Sequence, residues 1–137
     1  MRNNNKFQRN KDLLAVYDSL ITNGNINKKY IKRGSIIDVL YESPAPRFYI
    51  CPRMAERYVN AYLRGKLTCI SRERLAMVED LVENYKRIRK RRKNEQLCFV
   101  WQMVINSPAK GFYLSRQTIM EIIYGYGKYK EKSRSNQ

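Results

Sequence analysis

Ser43-Pro44-Ala45-Pro46-Arg47-Phe48-Tyr49-Ile50 returns 64 residues later as Ser107-Pro108-Ala109-Lys110-Gly111-Phe112-Tyr113-Leu114. The shared pattern is S-P-A-x-x-F-Y-[IL]. Upstream, Leu14-Ala15-Val16-Tyr17-Asp18-Ser19-Leu20 aligns with Leu75-Ala76-Met77-Val78-Glu79-Asp80-Leu81 at an offset of 61. A three-residue length change reconciles the two offsets, and both copies keep their order. The chain therefore reads as two diverged copies of one unit, with a period longer than the common solenoid repeats.

Working outward from these blocks, each copy reads as three helices. In the first, Leu13, Leu14, Tyr17, Leu20 and Ile21 sit at helical spacing, and Asn23-Gly24-Asn25 stops the element. Ser35 is the expected cap of a short second helix carrying Ile36, Ile37, Val39 and Leu40. Ser43-Pro44 ends it, because the residue before a proline avoids the helical region. Arg47 to Ile50 is then extended. Pro52 opens a third helix with Ala55, Tyr58, Val59 and Tyr62 inward and Gly65 at its end. In the second copy, Ser71 caps a helix with Leu75, Val78, Leu81, Val82, Tyr85 and Ile88 along one side. Asn94 is the expected cap of the next, through Leu97, Val100, Trp101 and Val104. Ser115 caps the last, where Ile119, Ile122, Ile123 and Tyr126 match Ala55, Tyr58, Val59 and Tyr62.

The expected fold is all-α or almost all-α: two fused three-helix repeats, 11–66 and 67–129, with at most a short two-stranded ribbon joining them. Residues 1–10 and 130–137 read as flexible polar tails. Pairing Arg47–Ile50 with Gly111–Leu114 across a pseudo-twofold axis would satisfy two backbones too short to form sheets alone. The alternative is that each segment lies over its own helices. Phe48, Tyr49, Phe112 and Tyr113 read as core or half-core residues rather than base-stacking platforms.

Composition narrows the function. The 137 residues carry 28 Lys+Arg against 12 Asp+Glu, a formal charge of +16. Residues 1–70 hold 13 basic and 5 acidic side chains and residues 71–137 hold 15 and 7, so each half carries +8. Folded surface must bear this excess, and a polyanion is the expected partner. The three cysteines are irregularly spaced and there is no histidine, which suggests neither a disulfide framework nor a zinc site. No metal or other cofactor is expected. A reducing cytoplasm suits this composition, no signal peptide is visible, and the apolar stretch Leu97–Ile105 is too short to span a bilayer. Abundant Lys, Asn, Ile and Tyr suit an AT-rich bacterial or phage genome.

Two surfaces are candidates for nucleic-acid contact. Arg53, Arg57, Asn60 and Arg64 fall at i, i+4, i+7 and i+11 on the third helix, opposite its tyrosine seam. Guanidiniums and an amide in that row can bind phosphates or read base edges. Three helices with such a face on the last resemble helix-turn-helix architecture, although the Ser-Pro-Ala stretch is longer than an ordinary turn of that motif. The matching face of the second copy, Gln117, Glu121, Tyr124 and Lys128, has lost most of its charge. That copy offers instead Lys86, Arg87, Arg89, Lys90, Arg91, Arg92 and Lys93, whose mutual repulsion an anionic partner would relieve. Beyond Ile88 this run has no apolar anchor and reads as mobile. Lys28, Lys29, Lys32 and Arg33 occupy the equivalent first-to-second helix junction. A solvated basic face is the competing reading for each surface.

Enzyme chemistry finds little support: the usual general base is missing and no Gly-rich phosphate loop appears. Cys51 stands where Ser115 does and reads as a small substitute cap. The expected function is non-enzymatic, sequence-tolerant DNA binding in an accessory, packaging or regulatory role, without membrane attachment. RNA binding is one alternative. The other is a phage virion or assembly component whose basic surface contacts packaged DNA or an acidic neighbouring protein, and a homodimer or a protein partner in an assembly is a further expected arrangement.

Overall fold

The computed structural model describes residues 3–22, 33–68 and 70–135. Six helices are present among them: α1 (Asn3–Thr22), α2 (Arg33–Glu42), α3 (Pro52–Leu63), α4 (Arg72–Arg91), α5 (Leu97–Ile105) and α6 (Arg116–Ser135). No strand is found among the described residues, and the fold is helical as expected.

Helix boundaries follow local chemistry, with some displacements from the sequence reading. Ser71 caps α4, its hydroxyl accepting from the Arg74 amide at 3.2 Å, and Ser115 does the same for the Thr118 amide at 3.2 Å. Cys51 holds the N-cap position of α3 but makes no side-chain cap bond. Gly65 ends that helix at φ +69°, where only glycine sits without strain. Its amide bonds to Tyr62 O and the Lys66 amide to Ala61 O, which closes the last turn as a Schellman motif. Gln96, not Asn94, is the N-cap of α5, because residues 93–95 first make a turn after α4. The second helix starts at Arg33, so Ser35 lies inside its first turn rather than before it. The backbone of α1 is helical from Asn3 and that of α6 continues to Ser135, so most of both expected tails extends a helix.

Both Ser-Pro-Ala blocks break their helices in one way. Ser43 Oγ donates to Val39 O and Ser107 Oγ to Met103 O, each at 2.7 Å. The two serine amides donate to Leu40 O and Val104 O, each at 3.2 Å. The prolines prevent further helix. Ala45 and Ala109 then exchange both backbone bonds, at 3.0 and 2.9 Å, in a single antiparallel bridge. Pairing thus falls at the alanines, not at Arg47–Ile50 and Gly111–Leu114 as the pattern suggested. The latter segments meet through their rings: Phe48 stacks on Tyr113 and Tyr49 on Phe112, with centroids 6.3 and 5.8 Å apart.

The crossing decides the packing. Helices α1, α2 and α6 pack on one another, and so do α3, α4 and α5. The third helix of each sequence block therefore joins the first two helices of the other, and segments 11–66 and 67–129 do not each close into a separate three-helix bundle. The reason is non-helical backbone: from Ser43 to Cys51 the chain leaves α2, passes the opposing alanine and docks Phe48 N on Ile105 O at 2.9 Å, at the end of α5. Ala55 and Val59 of α3 are fully buried, as are Val78 and Leu81 of α4 and Val100 and Val104 of α5. Leu13, Leu40 and Ile119 form the corresponding seam of the other cluster. Leu75, expected inward, is 40% exposed, because the buried stripe of α4 begins a turn later at Val78.

Carboxylates lock the crossing segments. The Tyr49 hydroxyl donates to Asp12 Oδ2 at 2.6 Å. The Tyr113 hydroxyl donates to Asp80 Oδ2, which also accepts the Lys110 amide at 2.9 Å. Burial, then these bonds, push both phenols well above their ordinary pKa. Asp80 is buried, and Asn84 Nδ2 donates to its other oxygen at 2.9 Å.

Candidate nucleic-acid interface

The α3 face is built as its periodicity requires. Burying Ala55 and Val59 turns Arg53, Arg57, Asn60 and Arg64 to the opposite side, and all four are exposed. None of these arginines pairs with a carboxylate among the described residues, where the ion pairs are Lys110–Glu83 at 2.7 Å and Arg116–Asp38 at 2.8 Å. Those two pairs are exposed and contribute little to stability. Arg116 also lies over the Tyr41 ring, 4.2 Å from its centroid.

The basic end of α4 differs from its sequence reading. The helix runs unbroken to Arg91, so Arg89, Lys90 and Arg91, read as lying beyond the last apolar anchor, have helical backbone. Arg92 N bonds to Ile88 O at 2.9 Å. Arg89 Nη1 donates to Glu95 O at 2.8 Å, clamping the turn that leads into α5. Arg87 donates to Asn84 Oδ1 and is thereby tied to the buried Asp80. The remaining cations, Lys86, Lys90, Arg91, Arg92 and Lys93, are exposed. Seven cations around a helix C-terminus favour the macrodipole while repelling one another.

The α3 face and the α4 end belong to one three-helix cluster, although the sequence assigns them to different blocks. Lys28, Lys29 and Lys32 lie outside the described residues. Arg33 is the first residue of α2. The corresponding face of α6 is nearly neutral: Gln117 donates to Glu121 at 3.3 Å.

Sequence reasoning missed a third group of cations. Arg9, Arg47 and Arg74 line a cavity of about 150 Å³ beneath the crossing segments. They lie far apart in the chain, Arg9 in an expected tail, so no spacing rule could collect them. The one visible signal was Arg47 itself, inside the recurring block where the second copy has Gly111.

Among the described residues, no helix is long and apolar enough to cross a membrane. Comparison with protein-family models, with curated proteins and with solved structures finds no match.

Proposed function

We propose that the protein binds nucleic acid without catalysing a reaction, through the basic surface of the α3–α4–α5 cluster. The observation that carries this reading is the end of α4: the last turn of a regular helix and the turn after it, braced at Arg87 and Arg89, present five further exposed cations with no carboxylate partner among the described residues. Holding like charges together on ordered backbone costs free energy that a polyanion offsets by releasing its counterions. The α3 face adds three guanidiniums and an amide in a row long enough to follow a groove. DNA in a bacterial or phage accessory, packaging or regulatory setting is the favoured partner, and RNA the alternative.

The structural parallels also support the reading of the chain as two diverged copies. The matched tyrosine–carboxylate bonds pair Asp12 with Asp80, an offset of 68 rather than 61. This register places Leu13 on Leu81, both fully buried, and Tyr17 on Tyr85. A shift of seven residues is two helical turns, so a helix aligned on apolar positions alone slips by that amount unnoticed.

Anisotropy of a labelled duplex titrated between about 50 and 200 mM salt tests the proposal. Six to ten phosphate contacts imply a loss of affinity of roughly a thousand-fold or more over that range. Neutralising Arg91, Arg92 and Lys93 is expected to weaken binding on every sequence and lower the salt slope by about one unit per lost contact. Arg57→Ala is expected to cost about 1–3 kcal/mol, more on a selected site than on scrambled duplex if base edges are read. Absence of binding to DNA and RNA at low salt would remove the proposal. A second reading, an assembly component, is favoured by Leu97 and Phe99, which stand exposed on α5 next to the basic turn.

A further inference from the structure

The cavity beneath the crossing segments has an unusual electrostatic lining. Its walls bring together Arg9 of α1, Arg47 of the first crossing segment and Arg74 of α4, with Ser71 at the N-terminus of α4, and among the described residues no acidic side chain lines it. The two carboxylates bonded to its tyrosines, Asp12 and Asp80, are not among the lining residues. Glu73, in the first turn of α4, lies instead against the Tyr41 hydroxyl at 3.4 Å.

Each arginine is held by a neutral neighbour. Arg9 Nε and Nη2 donate to Asn10 Oδ1 at 3.1 and 3.0 Å. Arg74 Nη1 donates to the Tyr58 hydroxyl at 2.7 Å, with its guanidinium over that ring. Arg47 Nε donates to Phe48 O at 3.4 Å and its guanidinium lies 5.9 Å from the Tyr49 ring centroid. These bonds use one or two of five N–H donors on each guanidinium. Partial burial of Arg9 disfavours its charged form, with no carboxylate to restore it. The first amides of α4 add the positive end of a twenty-residue helix. Tyr113, also in the lining, has a φ of 58°, a left-handed conformation that non-glycine residues adopt at a cost and often where a site is shaped.

We propose that this cavity is a binding site for one phosphate group, held by Arg9, Arg47 and Arg74 beside the N-terminus of α4. Guanidinium forks match phosphate oxygens in geometry and charge. The volume corresponds to about five water molecules at about 30 Å³ each, which admits a phosphate and part of its ester. The aromatic rings of the lining are already stacked on one another, so they form walls rather than a platform for a base. The phosphate has two available sources, free in solution or esterified in a nucleotide chain. This site is separate from the α3 and α4 surfaces and does not depend on their role.

The test is NMR of the intact chain, following the arginine Nε–Hε signals during titration with inorganic phosphate, with thymidine monophosphate and with a single-stranded thymidine decamer. Signals of Arg9, Arg47 and Arg74 are expected to move together and saturate with at least one probe. Arg47→Gln and Arg74→Gln are each expected to weaken that response at least tenfold while backbone amide spectra stay native, and Lys66→Gln, exposed and outside both the cavity and the basic faces, to leave it unchanged. Saturation by inorganic phosphate supports the site with a free source; saturation by the decamer alone supports it with a polymeric source. No response to any probe, or a response unchanged in Arg47→Gln and Arg74→Gln, overturns the proposal. Duplex binding measured on the same variants separates the two readings: if it persists while the cavity gives no response, the surface interface stands alone.

Discussion

Asp80 and Asp12 do the same work in different surroundings, and the difference is measurable. Asp80 is buried and takes donors from Tyr113, Asn84 and the Lys110 amide. Asp12 is half-buried and takes the Tyr49 hydroxyl and the Gln8 amide. In the first block the position matching Lys110 is Pro46, which has no N–H to offer. Removing Asp80 takes the acceptor from one buried and two part-buried donors at once, whereas Asp12 serves two donors at a half-buried position that solvent reaches. Asp80→Ala is therefore expected to destabilise the fold by about 3 kcal/mol and Asp12→Ala by about 1 kcal/mol. Urea unfolding of the two variants checks this; equal losses would show that burial does not set the strength of these locks.

At the scale of single elements, helix starts offer a controlled comparison. Ser71 and Ser115 each satisfy an amide three residues on, whereas Cys51 stands at the same position of α3 and satisfies none. Its thiol is a weak acceptor and it is exposed, so replacing it disturbs no packing. Cys51→Ser is expected to stabilise the protein by about 0.5–1 kcal/mol through a new cap bond, read as a higher urea midpoint with an unchanged slope. The caps at Ser71 and Ser115, the stop at Gly65, the inward face of α3 and that of α6 at Ile119, Ile122 and Ile123 were legible because each is a local bond or a local periodicity; the Tyr126 side chain lies outside the described residues. The start of α5 was not: Asn94 is as good a cap as any, but Arg89 ties Glu95 O and holds residues 93–95 in a turn. No reading of the segment by itself includes that clamp.

For the whole molecule, the crossing segments place α3 with α4 and α5, and α6 with α1 and α2, so the two clusters are expected to depend on each other. Trp101 is buried in the α3–α4–α5 cluster and stacked on Tyr85, with ring centroids 4.6 Å apart. It reports on that cluster alone. Leu13 is fully buried in the other one. Leu13→Ala is expected to cost about 3–5 kcal/mol. If the crossing segments couple the clusters, the Trp101 fluorescence transition moves to lower urea together with the far-UV signal. A Trp101 transition unmoved by Leu13→Ala would show two clusters unfolding independently.

Periodicity, caps and breakers were enough to determine a helical chain with a recurring Ser-Pro-Ala block, because those signals act within a few residues. Charge arithmetic was enough to expect a polyanionic partner, because net charge does not depend on the fold. Only the tertiary structure decided where each third helix goes. Ser43-Pro44 and Ser107-Pro108 specify that a helix ends, but the direction of the extended chain beyond them depends on the Ala45–Ala109 bridge and on Phe48 N meeting Ile105 O. The same long-range contacts put the α3 face and the α4 end on one cluster and gather Arg9, Arg47 and Arg74 around one cavity. Contacts between residues tens of positions apart leave no periodic trace along the chain, so this arrangement could be learned only from the folded molecule.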